Sequence, residues 1–196
     1  MSGLRILAAR RALRRRVRRV IARSWLASRW YYRFHRVELT GRPSDTAWYF
    51  AYGSNMHDSA FIERRRMRPL EWRAGRLKGY RLRFNLDGFP KGKAAPANVT
   101  PDPGAEVWGV LYRITLREMI RLNSTEGVPG GAYHPTWLSV EDAEGRPVEA
   151  MTYVATGNAE DGRPSLRYIT LLRDGARAHG LPAEWLRLLE RVAHAE

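Results

Sequence analysis

Tyr52-Gly53-Ser54-Asn55 closes a short apolar run, and Glu126-Gly127-Val128 lies far downstream. A strand that breaks at Gly-Ser-Asn and opens a helix presents backbone N–H groups without internal partners, which suits an anionic group. A carboxylate in a glycine-flanked segment is a candidate proton carrier for chemistry beside that anion. Together these residue types point to a small enzyme acting on an amino-acid-like substrate. Each also has a plainer use: Tyr52 as a core aromatic, Asn55 as a helix cap, Glu126 as a solvated loop acid.

The setting of Glu126 favours the chemical use. It directly follows an amphipathic helical pattern, and Gly127 and Gly130-Gly131 let backbone come close to a ligand. Tyr133 and Trp137 lie near it in sequence; Tyr133 and the later Tyr168 either send hydroxyls into the same site or pack in the core. Other chemistries find little support. There is no cysteine, which excludes thiolate catalysis and disulfides and fits a reducing compartment. The five histidines show no metal-ligand spacing. Ser54 is not in a Gly-x-Ser-x-Gly elbow, and no phosphate-binding loop or dinucleotide fingerprint occurs. Neither a cofactor nor a metal is expected.

The elements that must position these residues can be read from the pattern. Trp48 to Tyr52 reads as a buried strand and Asp58 to Arg66 as a helix. Arg76 to Phe84 alternates as a strand with one wet face, Asn85 to Ala97 reads as a surface loop, and Pro101-Asp102-Pro103-Gly104 reads as a turn. Val107 to Ile114 is a buried strand, and Thr115 with Glu118 forms a capping box opening a helix. Strands over Tyr133–Val140 and Val148–Ala155 flank a turn at Glu144-Gly145-Arg146-Pro147. Helices over Ser165–Ala178 and Pro182–Ala193 break at Gly180. Strands and helices mix without regular βαβ alternation, so the class is α+β with a small barrel-like sheet and flanking helices.

Charge divides the 196 residues in two. Residues 1–36 hold twelve Arg, no Lys and no acid, leaving 22 basic against 20 acidic residues for 37–196. The body, residues 46–196, is therefore close to neutral, and most of the net charge of +14 belongs to an arm over 1–45 that ends in a linker, Thr40 to Asp45. Within it, residues 4–30 read as an Arg-rich amphipathic helix followed by Trp30, Tyr31, Tyr32 and Phe34. That arm packs on the body, touches an anionic membrane surface, or binds nucleic acid, the last being the least favoured. No stretch is long and apolar enough to span a bilayer. The expected location is cytoplasmic, with peripheral membrane contact through residues 1–36.

The chain resembles the γ-glutamylcyclotransferase family. The resemblance runs through Tyr49 to Met56, Gly104 to Tyr112, Glu126-Gly127-Val128 with Tyr133, and Tyr168 ahead of Gly180-Leu181-Pro182, covering about residues 48–192. It implies an α+β barrel-like fold and a cofactor-free cyclisation of a γ-glutamyl amino acid or amine that releases 5-oxoproline. It implies that Glu126 is the general acid/base, and that Tyr52, Gly53, Ser54, Asn55, Met56, Tyr133 and Tyr168 bind substrate. Lys91 to Ala97 departs from the glycine-rich form of many members, which leaves the leaving group open, a bulky biosynthetic amine included. The glutathione-specific branch carries a different first motif. The alternative is a non-catalytic protein of the same fold, tethered by its arm.

Overall fold

The computed structural model describes residues 39, 41–88, 94–128 and 131–195. The amphipathic pattern over 4–30 and the lysines at 91 and 93 lie outside them. Five strands, β1 (Thr46–Ala51), β2 (Glu71–Arg83), β3 (Asn98–Thr115), β4 (His134–Asp142) and β5 (Pro147–Val154), make the sheet. They follow the order β1-β3-β2-β4-β5, and β5 returns to β1 to close a barrel. All pairings are antiparallel except the closing one, where Trp48 faces Ala150 and Tyr49 faces Met151 in parallel. Closure leaves no strand edge unpaired at that seam.

β1 becomes buried towards its end, and Tyr49, Phe50 and Ala51 enter the core. They meet Leu77, Leu111, Ile114 and Met151 from the other strands, with Met119 and Leu122 from helix α1 (Leu116–Thr125). The capping box at Thr115 and Glu118 is complete. The next free N–H groups of α1 are taken by the linker that leads into β1, Leu116 donating to the Asp45 carbonyl at 2.8 Å and Arg117 to that of Pro43. Leu39 is buried in the same core. Helices α2 (Leu166–Ala178) and α3 (Ala183–Glu190) pack outside the barrel.

Two local expectations are corrected. Pro101 to Gly104 is not a chain reversal: β3 runs through it. Lys78 pairs with Glu106 and Tyr80 with Pro101, so residues 102–105 form a wide bulge opposite Gly79. The turn-forming residues sit where the ladder is interrupted, the place a strand tolerates proline. Nor is the segment before β3 a surface loop throughout. Ala95 and Ala97 are buried, and Asn98 clamps the approach by donating to the Asn85 side chain and the Ala155 carbonyl while accepting from Ala155 N–H. Small side chains that looked like loop filler are there because the backbone is packed.

Candidate active site

The chain leaves β1 through Gly53 into a single helical turn, Ser54–Met56, and then a wide turn, Ser59–Arg64. In the wide turn Arg65 N–H reaches back five residues to the Ala60 carbonyl at 3.3 Å, a π-type bond that accommodates one residue more than an α-turn. Phe61 pins it, stacking on Tyr49 at 5.7 Å and Tyr112 at 4.5 Å between ring centroids. Arg66 then takes a positive φ of 56°, and its carbonyl accepts from the Arg121 guanidinium. Arg65 is thereby delivered inward.

Glu126 arrives from the opposite side as the last residue capping α1, its N–H bonded to the Leu122 carbonyl. Gly127 follows with φ of 75°, the left-handed conformation that ends a helix sharply. A negative side chain is poorly placed at a helix C-terminus. The offset is local: Glu126 Oε1 accepts from Asn55 Nδ2 at 2.8 Å and from Arg65 Nη2 at 2.8 Å. Arg65 Nε donates to Asn55 Oδ1 at 2.6 Å, closing a triangle of three side chains from three elements. The Arg65 and Glu126 side chains are only 14% and 13% exposed, so this is an internal ion pair and not a surface one.

Tyrosines complete the wall. Tyr133 donates to the Ala97 carbonyl at 2.6 Å, while the Tyr168 oxygen accepts the Ala97 N–H at 3.1 Å. Tyr52 donates to the Tyr153 carbonyl, and the Tyr49 oxygen accepts from Asn55 Nδ2 at 2.7 Å. Burial, with the Glu126 charge adding to it, pushes the phenols of Tyr49, Tyr52, Tyr133 and Tyr168 up, so they stay protonated at neutral pH. The cleft holds about 320 Å³ of empty space, the solvent at its open mouth included. Among the described residues no cluster of His, Asp or Glu is arranged as metal ligands.

A profile described as the AIG2-like family matches residues 106–189. The gamma-glutamylcyclotransferase of Bos taurus is 31% identical over 161 residues, covering 79% of this chain and 83% of the relative. The chain belongs to the γ-glutamylcyclotransferase family. A fungal relative, gamma-glutamyl cyclotransferase aclK of Aspergillus oryzae, is 30% identical over 161 residues, 71% of this chain and 58% of its own. A solved structure of a gamma-glutamyl cyclotransferase superposes with a TM-score of 0.68 at 27% identity, covering 78% of this chain and 90% of that one. The mixed barrel with flanking helices is the fold of that family, and the chain is an enzyme of it.

Within this γ-glutamylcyclotransferase fold, Tyr52, Gly53, Ser54, Asn55, Glu126, Tyr133 and Tyr168 line one cleft. Met56, expected beside them, does not: it is fully buried in the core beneath the turn. The cleft also takes in Tyr49, Arg65, Ala97 and Tyr153, none of which was singled out from sequence. Tyr49 and Tyr153 look like ordinary strand aromatics. Arg65 sits in the run Arg64-Arg65-Arg66, where nothing local separates the inward guanidinium from its neighbours.

Helix α2 holds the turn in place. Ser165 caps it, its hydroxyl accepting the Tyr168 N–H at 3.2 Å, which fixes Tyr168 in the first turn. One turn short of its end, Gly175 lies against the backbone of Met56 and His57. A Cβ there would come within 2.7 Å of the Met56 carbonyl carbon. Only glycine permits that approach.

Proposed function

We propose that the chain is a γ-glutamylcyclotransferase that releases 5-oxoproline from a γ-glutamyl amino acid or amine, with Glu126 as general acid/base. The substrate carries its own nucleophile. Its α-amine is mostly protonated at neutral pH and inert; Glu126 takes that proton, and the amine attacks the γ-carbonyl. A new C–N bond closes the five-membered ring, the Glu126 carboxyl gives its proton to the departing nitrogen as the original amide C–N bond breaks, and the regenerated carboxylate takes the second proton from the ring nitrogen, which is left as the lactam N–H.

The observation that carries this reading is a single carboxylate held at the cleft by Asn55 and Arg65, beside the Gly53–Asn55 backbone. Two fixed donors on Oε1 hold the group in one orientation, which a proton carrier serving two nitrogens in turn requires. The Gly53–Asn55 turn is our candidate for the N–H donors to the substrate carboxylate or the developing oxyanion, placed before the reaction begins. A narrow cleft walled by protonated phenols folds a glutamyl group towards a near-attack geometry. The relatives named gamma-glutamylcyclotransferase support the same reaction.

The test is 5-oxoproline release by purified protein from a panel of γ-glutamyl amino acids, γ-glutamyl amines and glutathione. Glu126→Gln should fold and lose about 10²–10⁴-fold in turnover. Turnover retained by a folded Glu126→Gln protein removes Glu126 from the mechanism.

A further inference from the structure

The run Arg64-Arg65-Arg66-Met67-Arg68 and helix α1 are laced together on one side of the body. The Arg121 guanidinium donates to the Arg66 carbonyl, Arg68 N–H donates to Glu118 Oε1 at 2.7 Å, and Arg121 Nη2 lies 3.7 Å from the same oxygen. Arg117 and Arg121 stand four residues apart on α1, hence on one face of it. Arg66, Arg68 and Arg117 are exposed there. Glu118, the acid among these contacts, is only 9% exposed and is committed to its capping box, to Arg68 N–H and to Arg121. The face is basic.

The arm joins the body at the same place. Leu39 is buried in the core, a Cβ on Gly41 would lie 3.1 Å from Leu116 Cδ1, and the Pro43 carbonyl accepts the Arg117 N–H at 3.2 Å. The twelve arginines of residues 1–36 thus lead onto a face that bears three more. Like charge keeps the arm from covering that face, so both are left for one anionic partner outside the chain. Two of the three face arginines also sit against local preference. Arg66 holds a φ of 56°, where glycine or asparagine would be at ease. Arg117 lies in the first turn of α1, where the positive helix end disfavours a cation. Local rules broken in this way mark functional surface.

We propose that the arm and the face formed by Arg66, Arg68 and Arg117 make one surface that seats the protein on an anionic bilayer. What accompanies the charge favours a membrane over a nucleic acid. Phosphates need only the arginines, yet Leu13, Val17, Val20, Ile21 and Trp25 recur at helical spacings along the arm, with four aromatics over residues 30–34. Laid on a membrane as a helix, that stripe enters the acyl boundary, the arginines meet lipid phosphates, and the aromatics settle at headgroup level. Leu70, two residues past Arg68, is 56% exposed and offers a further apolar side chain from the body. The arm supplies the anchor, and the face sets which side of the barrel meets the lipid. None of this depends on the reaction proposed above.

The test is sedimentation of the full chain with phosphatidylcholine vesicles, with and without phosphatidylserine, and competition by an RNA duplex. Wild type should bind the phosphatidylserine vesicles, come off them as salt is raised, and bind the neutral ones far less. One arginine near an anionic surface corresponds to about fivefold in affinity. Arg66→Gln/Arg68→Gln/Arg117→Gln should therefore bind about 100-fold more weakly with the arm intact. Arg68→Gln/Arg117→Gln leaves the backbone at Arg66 untouched and should lose about 25-fold, which keeps the test decisive if the triple variant melts early. Val17→Asp/Ile21→Asp breaks the apolar stripe and should abolish vesicle binding. No binding to phosphatidylserine vesicles overturns the proposal. So does a folded face variant that binds like wild type, which leaves the arm acting alone. RNA that strips the protein from vesicles and binds Val17→Asp/Ile21→Asp equally well also overturns it and gives the surface to nucleic acid.

Discussion

Asn55 and Glu126, 71 positions apart in sequence, meet at 2.8 Å, and the same asparagine accepts from Arg65 at 2.6 Å. Its amide is thus the hinge pin of the site: one end holds the carboxylate and the other holds the guanidinium that also holds the carboxylate. Asn55→Ala removes both bonds and strands the Tyr49 hydroxyl. A hydrogen bond to a charged group contributes about 1.5–3 kcal/mol, so kcat/KM should fall by about 10–100-fold. Steady-state kinetics beside a thermal melt will show whether the loss is in the site or in the fold.

Arg65 is predicted to resist conservative exchange. A lysine can supply the charge to Glu126 but not the second donor to Asn55, because it lacks the fork. Arg65→Lys should therefore keep most of the stability and lose about tenfold in activity. Arg65→Ala leaves Glu126 buried without its counter-charge, which costs about 3–5 kcal/mol. Denaturant unfolding of the two variants separates these outcomes.

Gly175 tests whether α2 positions the turn. Gly175→Val would set methyl groups against the Met56 and His57 backbone, where a Cβ alone already comes within 2.7 Å. Overpacking of this kind costs about 1–3 kcal/mol. Activity should drop further than stability predicts, since the Gly53–Asn55 turn and Tyr168 are displaced together. Parallel melts and 5-oxoproline assays measure the difference.

Acid sensitivity should centre on Asp142 at the β4–β5 turn. Its carboxylate accepts from Arg146 Nε at 2.9 Å and from the Glu144 and Arg146 backbone N–H groups. The Arg146 contact holds its carboxyl below the ordinary value of 3.8. The folded state thus binds this proton more weakly than the unfolded state does. The stabilisation is complete above the ordinary value and is lost as pH falls through the folded one. Asp142→Asn should be less stable than wild type at neutral pH and lose less on acidification, read by unfolding curves from pH ~7 to pH ~2.

Sequence carried the fold well where hydrophobic period and capping agreed, as in β1, α1 with its Thr115–Glu118 box, and the late helices. It also marked the residues of the cleft that stand in runs of unusual composition: Tyr52 to Asn55, and Glu126 beside glycines. Arg65 was invisible because its direction depends on a single π-type bond from its N–H to Ala60, a matter of backbone geometry that three successive arginines cannot disclose. Met56 sits inside the motif run, but the turn that aims the buried Asn55 at Glu126 packs Met56 into the core. Ala97 was hidden by its smallness. Its contribution is its peptide group, gripped by Tyr133 and Tyr168.

The parallel seam between β1 and β5 has a bearing on how the protein comes into being. Trp48 and Tyr49 meet Ala150 and Met151 across about a hundred residues of chain, and Tyr168 is supplied later still. Contacts of such long sequence separation are slow to form and come last. A nascent chain therefore holds Asn55 and Glu126 long before it holds a cleft, and catalytic competence arrives only with the final helices.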